Sequence, residues 1–490
     1  MKITSSKLDT SHLTVNDAAL FRCQTALELK DRGDYSGVRE VMRPLWGRVG
    51  ERPETKGLHS AVAAEVLLCA GILNGWVGSK DGIEKAQEIA KDLISESTNF
   101  YQSIGDVIKV AAARAELAYC YWREGAFDEA RIMFNESLQK LPAQGNTRAR
   151  ALLRLAILEW SASRYSECLR ILREHASLFG KVTNHAIKGN YHNQLAIVLT
   201  NLVAAENRDD YLQEAISEHK EADHEFKLAH NIIFRADVQN NLAFLLYKLS
   251  RYREAHQYLD QARRLMASIK DKVEVAQIDD TRAQVLTAER KFAEAESLSR
   301  HAVRVLEKSG RQCLLADSLI THGIALARLS RREQAQFTFQ RAIEVAHQVG
   351  ALNKAGLAAL SLIEELDELS GETLHAAFQR ASEWLADSQS QDLMRRFTVA
   401  AEKVFAVLDR ELTAEEATDQ LFNKRCDLQN EMLRYEGALI KQALAKTNGR
   451  LTEAASQLTV SYQALAYIIE GRHKDLLKDR TPIRRRSPKK

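Results

Sequence analysis

Residues 252–302 read YREAHQYLDQARRLMASIKDKVEVAQIDDTRAQVLTAERKFAEAESLSRHA, and one pattern occurs in this stretch twice, forty residues apart. Tyr252-Arg253-Glu254-Ala255 returns as Phe292-Ala293-Glu294-Ala295. Seven residues after each motif alanine stands another, Ala262 and Ala302. Seven residues make two helical turns, so the two alanines share one helix face. Twelve residues before each motif alanine sits a further small residue, Ala243 and Ala283. The spacing describes two antiparallel helices. A small residue late in the first admits the second, which opens on the aromatic and Glu-Ala.

The pattern spreads in both directions. Phe127-Asp128-Glu129-Ala130 keeps it whole, while Tyr165-Ser166-Glu167-Cys168 and Arg332-Glu333-Gln334-Ala335 are looser copies. Gln213-Glu214-Ala215 keeps the end, and Ala222 and Ala342 extend the row of later alanines. Ala118, Ala156 and Gly323 extend the row of earlier small residues. Ala196 stands nineteen residues ahead of Ala215, and the extra seven are assigned to a loop at Glu206–Asp210. Six clear repeats cover 107–350, and two degenerate pairs are expected before them, one over Asn16–Met42 and one from His59 to Ile94 broken at Gly75–Gly82. One helix pair cannot bury both faces, so neighbours must stack. The fold expected is all-α, an α-solenoid over residues 15–370 behind a flexible leader, 1–14. It resembles the tetratricopeptide repeat (TPR), in a forty-residue variety longer than the usual 34.

Composition agrees. Five prolines occur in 490 residues, none between Pro142 and Pro482, which suits uninterrupted helix. Six scattered cysteines form no CxxC pair and read as thiols in a reducing compartment. The first residues lack a signal-peptide core, and no apolar run of membrane-spanning length is read, so a cytoplasmic protein without a membrane partner is expected.

At the other end, residues 435–477 read YEGALIKQALAKTNGRLTEAASQLTVSYQALAYIIEGRHKDLL. A periodic helix stops at Asn448-Gly449, a short helix follows with Thr452 as its expected cap, and Thr459-Val460-Ser461 leads into a third, Tyr462–Glu470. Val460 is expected to plug the corner. The spacing is that of a helix-turn-helix. The run resembles the Fis-type helix-turn-helix through Gly449, Ala454, Ala455, Leu458, Ser461 and Leu465, with Val460 for Ile. Arg450, Thr459, Tyr462 and Ala464 depart from that pattern. The resemblance implies a DNA-binding domain over 431–477 that presents Ser461, Tyr462, Gln463 and Tyr467 to double-stranded DNA. Arg450, Thr452, Arg472, His473 and Lys474 flank it.

Charge supports that expectation. Residues 471–490 carry +7 while the whole chain carries +3, so the basic charge lies beside this motif. The tail, 478–490, offers Arg484, Arg485 and Arg486 to phosphates, and its Ser487-Pro488-Lys489-Lys490 resembles the repeats of linker-histone tails. Between solenoid and motif, 371–430 reads as a helical connector. Its stripe Leu421, Leu428, Met432, Tyr435, Leu439 either caps the solenoid or pairs two copies into a homodimer.

The resemblance to TPR implies that each first helix lines a concave groove. Counting back six and three from the small residues places Asn190, Asn193, Asp237, Asn240, Gln277, Asp280 and Asp317 there, a row suited to a protein or peptide partner. No Walker A, HExxH, GxSxG or GxGxxG sequence occurs, so no enzyme and no cofactor are expected. The Glu218–Glu225 cluster reads as a solvated face, not a metal site. Two functions fit: a DNA-binding transcriptional regulator, bacterial in type, or a non-enzymatic scaffold whose basic end docks on a protein or RNA.

Overall fold

The structure, a computed structural model, describes residues 10–81, 83, 85–206, 208, 210–367, 369–385, 391–416 and 428–479. Among them only helices and turns occur, and no strand. Two compact units divide the chain, Met1–Ala406 and Val407–Lys490.

The first unit is a stack of helix pairs. Two pairs open it, α1 (Val15–Asp31) with α2 (Tyr35–Met42) and α3 (Ser60–Asp81) with α4 (Ala86–Ser103). The six expected repeats follow: α5 (Val107–Arg123) with α6 (Phe127–Lys140), and α7 (Asn146–Ser161) with α8 (Tyr165–Glu174) and the short α9 (Ala176–Lys181). Next come α10 (His185–Glu206) with α11 (Asp210–Leu228), and α12 (Ile232–Lys248) with α13 (Tyr252–Ser268). Then α14 (Lys272–Ala288) pairs with α15 (Phe292–Leu306), and α16 (Gln312–Arg328) with α17 (Arg332–Gln348). A further pair, α18 (Leu352–Glu365) and α19 (Gly371–Leu385), packs onto α16 and α17, so the stack runs past residue 370. The fold is an all-α, TPR-like α-solenoid.

The small residues do what their spacing requires. Ala118, Ala156, Ala196, Ala243 and Ala283 are fully buried, as are the motif residues Ala130, Cys168, Ala215, Ala255, Ala295 and Ala335. Turns close through a residue with positive φ, glycine at 105, 125, 310 and 350, serine at 163, 250 and 330. Several first helices then start on a side-chain cap. Asp106, Asn231 and Asp271 accept the N–H of Lys109, Phe234 and Glu274 at 2.9, 2.9 and 3.2 Å, satisfying amides with no partner in the helix.

Two expectations about helix ends are corrected. The glycines at 75 and 78 do not break α3, which runs through them to Asp81. A Cβ on Gly78 would stand 2.3 Å from the Ala86 Cβ, and one on Gly71 2.6 Å from Ile94 Cγ1, so these glycines let α4 lie close. In the long repeat the added residues extend helices rather than a loop: α10 and α11 have 22 and 19 residues, against 17 and 17 in the next pair. Asn207 and Asp209 of the expected loop lie outside the described residues. The apolar reading is also corrected. Among the described residues, the Ser60–Gly78 segment of α3 is long and apolar enough to cross a membrane, yet 67% of its apolar window is buried inside the protein.

First helices of neighbouring pairs touch, α12 with α14, α14 with α16 and α16 with α18, and among the described residues second helices make no comparable contacts. First helices therefore line the inside of the curve.

Helix α20 (Gln391–Glu416) crosses the division between the units. The second unit comprises α21 (Leu428–Lys446), α22 (Leu451–Gln457), α23 (Tyr462–Arg472) and a 3-10 turn, Lys474–Asp479. Its core joins Ile440, Ala443 and Leu444 to Leu451, Ala454 and Ala455, then to Leu465, Ile469 and Leu476. The first helix stops where expected, with Asn448 and Gly449 at φ 51 and 77 and the Gly449 N–H donating to Leu444 O at 2.8 Å. Two local expectations fail here. Arg450, not Thr452, is the N-cap residue of α22, and Val460 is exposed while Leu458 packs on the core.

Candidate functional site

The inner face of the solenoid holds the expected row in unequal states. Asn190 Nδ2 donates to the Ala186 carbonyl of its own helix at 2.8 Å. Asn193 accepts from Asn241 of the next first helix at 3.4 Å. Asp237, Asn240 and Gln277 are half-buried, and Asn240 Oδ1 has no partner. Asp317 is paired with Lys354 of α18. Asp280 is only 6% exposed. Gln284 Nε2 and Thr321 Oγ1 both donate to its Oδ2, at 3.1 and 3.2 Å. Burial pushes its pKa up to about 6, against the pull of hydrogen bonds from Ser318, Gln284 and Thr321. Its carboxylate is thus committed to the joint between α14 and α16 rather than open in a groove.

A denser site, outside the expected row, lies at the earlier repeats. Six residues before Ala156 stands Arg150, whose guanidinium grips Asp31 at 2.9 and 3.2 Å. Asn184 Nδ2 donates to the same carboxylate at 2.7 Å, and Asn231 Nδ2 donates to the Asp31 carbonyl at 2.9 Å. Lys30 lies 3.0 Å from Asp31, and Arg154 lies 2.7 Å from Glu116. Burial, with Arg150 beside it, pulls the Lys30 pKa down to about 8. Burial pushes the Asp31 and Glu116 carboxyls up, but the neighbouring cations outweigh it and hold both below their ordinary values.

Elsewhere in the solenoid, a cleft of about 480 Å³ opens between α15, α16 and α17. At it Arg300, His322 and Arg331 approach Glu296 at 3.5, 3.4 and 3.8 Å, beside the exposed Phe337. The Glu218–Glu225 cluster is dispersed. Glu218 meets His192 at 2.5 Å, Asp223 meets Arg235 at 2.9 Å, and Glu225 meets His185 at 2.6 Å. His219 is buried, and desolvation pulls its pKa down to about 3.

In the second unit, Ser461 Oγ accepts the Ala464 N–H at 3.1 Å and starts α23. Leu465 and Ile469 bury one face of that helix. Tyr462 and Gln463 are exposed on its first turn and Tyr467 is 76% exposed one turn on. Arg450 is exposed and pairs with Glu453 at 2.8 Å, while Thr452 and Lys474 are exposed. Arg472 and His473 converge on Glu436 of α21, at 3.3 and 2.8 Å. His473 is buried, and Gly437 leaves room for its ring, since a Cβ there would stand 3.0 Å from Nδ1. His473 therefore ties α23 to α21 instead of facing outward. Tyr435 and Leu439 are exposed. Leu421, Arg484, Arg485, Arg486 and the rest of the tail beyond residue 479 lie outside the described residues, as do the side chains of Leu428 and Met432.

No protein-family model and no curated protein matches the chain. Among solved structures it is similar to a Signal Transduction ATPase with Numerous Domains (STAND) protein with a tetratricopeptide repeat sensor, from Pyrococcus horikoshii. That match has a TM-score of 0.47 and 14% identity, covering 75% of this chain and 55% of that one. The chain thus spans about half the length of that relative. It is also similar to a Rap protein complexed with competence and sporulation factor, with TM-score 0.46, 12% identity, and 70% and 99% covered. A third is the apo form of the quorum sensor NprR from B. thuringiensis, with TM-score 0.46, 14% identity, and 68% and 88% covered.

Proposed function

We propose that this protein is a cytoplasmic DNA-binding transcriptional regulator. Its solenoid takes a protein or peptide partner on the inner face, and its C-terminal unit engages double-stranded DNA as a helix-turn-helix. The observation that carries the reading is the start of α23. Ser461 caps it, Leu465 and Ile469 anchor it, and Tyr462, Gln463 and Tyr467 stand exposed on it. A helix held by one face and open on the other suits entry into a major groove. Arg450, Arg472 and Lys474 supply phosphate contacts, with Arg484, Arg485 and Arg486 adding affinity without sequence information. Tyr435 and Leu439 on α21 are where two copies would pair.

The test is selection of duplexes from a random pool by the full-length protein, at about 150 mM salt so that nonspecific binding is screened. One motif should be enriched. Tyr462→Ala with Gln463→Ala should weaken binding to it by about 10- to 100-fold, the scale of lost base contacts. Removing 481–490 should weaken all duplexes alike. Absence of duplex binding would transfer the weight to the scaffold reading, with an RNA or protein docking end. On the solenoid, Asp237→Lys with Gln277→Lys should abolish partner capture, and undiminished capture would remove the inner face as the binding surface.

A further inference from the structure

Five charged groups meet on the inner face where α1, α3, α5 and α7 come together. Lys30, Arg150 and Arg154 are cations, and Asp31 and Glu116 are carboxylates, so one positive charge has no counterion within the cluster. Lys30 and Arg154 are 6% and 5% exposed. Glu116 meets Nη1 of Arg154, and among the described residues the buried Nη2 has no acceptor. The aromatic side of the cluster repeats that deficit. Trp76 stacks on Tyr119 with centroids 5.2 Å apart, Arg154 covers Tyr119 at 4.7 Å, and Lys30 Nζ lies 4.9 Å over Trp76. Among the described residues, the buried Trp76 Nε1–H also lacks an acceptor.

Two unsatisfied N–H donors are costly inside a protein, and an uncompensated charge is costlier. A water molecule could accept from donors of this kind, but it would leave the surplus charge in place. An anion answers both. We propose that this cluster is a binding site for one small monovalent anion, a halide or a simple carboxylate such as formate. Arg154 Nη2 and Trp76 Nε1–H donate to it, in the field of Lys30 and Arg150. The donor atoms are shut off from solvent, which restricts the ligand to a small one. One surplus charge restricts it to a monovalent one. Burial lowers the Lys30 pKa first, and Arg150 beside it adds to the shift.

The site stands independently of any DNA-binding role, and thermal unfolding of the full-length protein tests it. Melts at pH 7 are compared at equal ionic strength in sodium chloride, sodium formate, sodium phosphate and sodium gluconate, the last with an anion too bulky to enter. Chloride and formate should raise the midpoint above gluconate by about 2 °C, as a ligand of the native state does. Phosphate should not. Trp76→Phe keeps the ring and loses the N–H, and Arg154→Lys keeps the charge and loses Nη2; in both, the excess over gluconate should vanish. Equal midpoints in all salts would mean that water alone fills the site, and the proposal falls. An excess that survives Trp76→Phe, or one given by phosphate alone, overturns it as well. If Arg154→Lys fails to fold, Trp76→Phe still decides.

Discussion

At the scale of single residues, Asp280 and Thr459 show side chains held at a cost. Asp280 has a pKa of about 6 in the native protein against 3.8 as the ordinary value, so between those values the native state binds more protons than the unfolded chain. Stability therefore falls as pH rises through that window, and the loss is complete above about pH 6, amounting to about 3 kcal/mol for a shift of this size. Asp280→Asn keeps an oxygen for Gln284 and Thr321 and cannot ionise. It should raise the unfolding midpoint at pH 7.5 and change little at pH 3.5; parallel pH profiles for variant and parent would refute the assignment. Thr459 stands at φ 58, where a β-branched residue is strained. Thr459→Gly should stabilise the C-terminal unit by about 1 kcal/mol, read from a local melt followed by tyrosine fluorescence. A null or negative change would mean that the turn tolerates threonine without strain.

At the scale of elements, two propensity rules give opposite signs at Gly78. Glycine inside a helix costs about 1 kcal/mol relative to alanine, so Gly78→Ala ought to stabilise α3. The alanine Cβ would stand 2.3 Å from that of Ala86, and overpacking of this kind costs about 1–3 kcal/mol. Overpacking wins, so Gly78→Ala should lower the denaturation midpoint, while Gly180→Ala, with open space at its Cβ, should not. The same opposition explains why α3 continues where the glycines at 75–82 suggest a break. Glycine in sequence signals a turn or a close approach equally, and only the neighbouring helix decides between them. The six central repeats were legible because Ala118, Ala243 and their equivalents each perform one steric task at a fixed offset. The candidate site was legible in part. The offset of six from Ala156 points to Arg150, but Lys30, Trp76 and Glu116 share no offset with it and meet only through the stacking of the helices. The capping of α22 and the corner at Val460 turned on single-residue shifts that the pattern does not specify.

At the scale of the whole solenoid, the contacts of Asp31 break the rule that makes such folds one-dimensional, in which each repeat touches only its neighbours. Asp31 meets Arg150, Asn184 and Asn231, the last 200 residues away in sequence. The end of α1 is therefore tied to the starts of α10 and α12, and the first turn of the superhelix closes on itself. Such a closure changes how the stack unfolds. With neighbour contacts alone, α1 and α2 would fray first and independently; with the tie, their opening must strip Arg150 and Lys30 of a buried counterion. Removing one partner of a buried ion pair costs about 3–5 kcal/mol, so Asp31→Ala should release hydrogen exchange across Val15–Met42 and at the starts of α7, α10 and α12. The pairs α14–α15 and α16–α17, which lack this contact, should keep their protection. Asn231→Ser retains a cap for α12 but is too short to reach the Asp31 carbonyl, and should reproduce part of the release without unwinding α12. Uniform loss of protection along the solenoid would show that the variant destabilises one cooperative unit. Loss confined to Val15–Met42 would show that the tie holds the first pair without closing the turn.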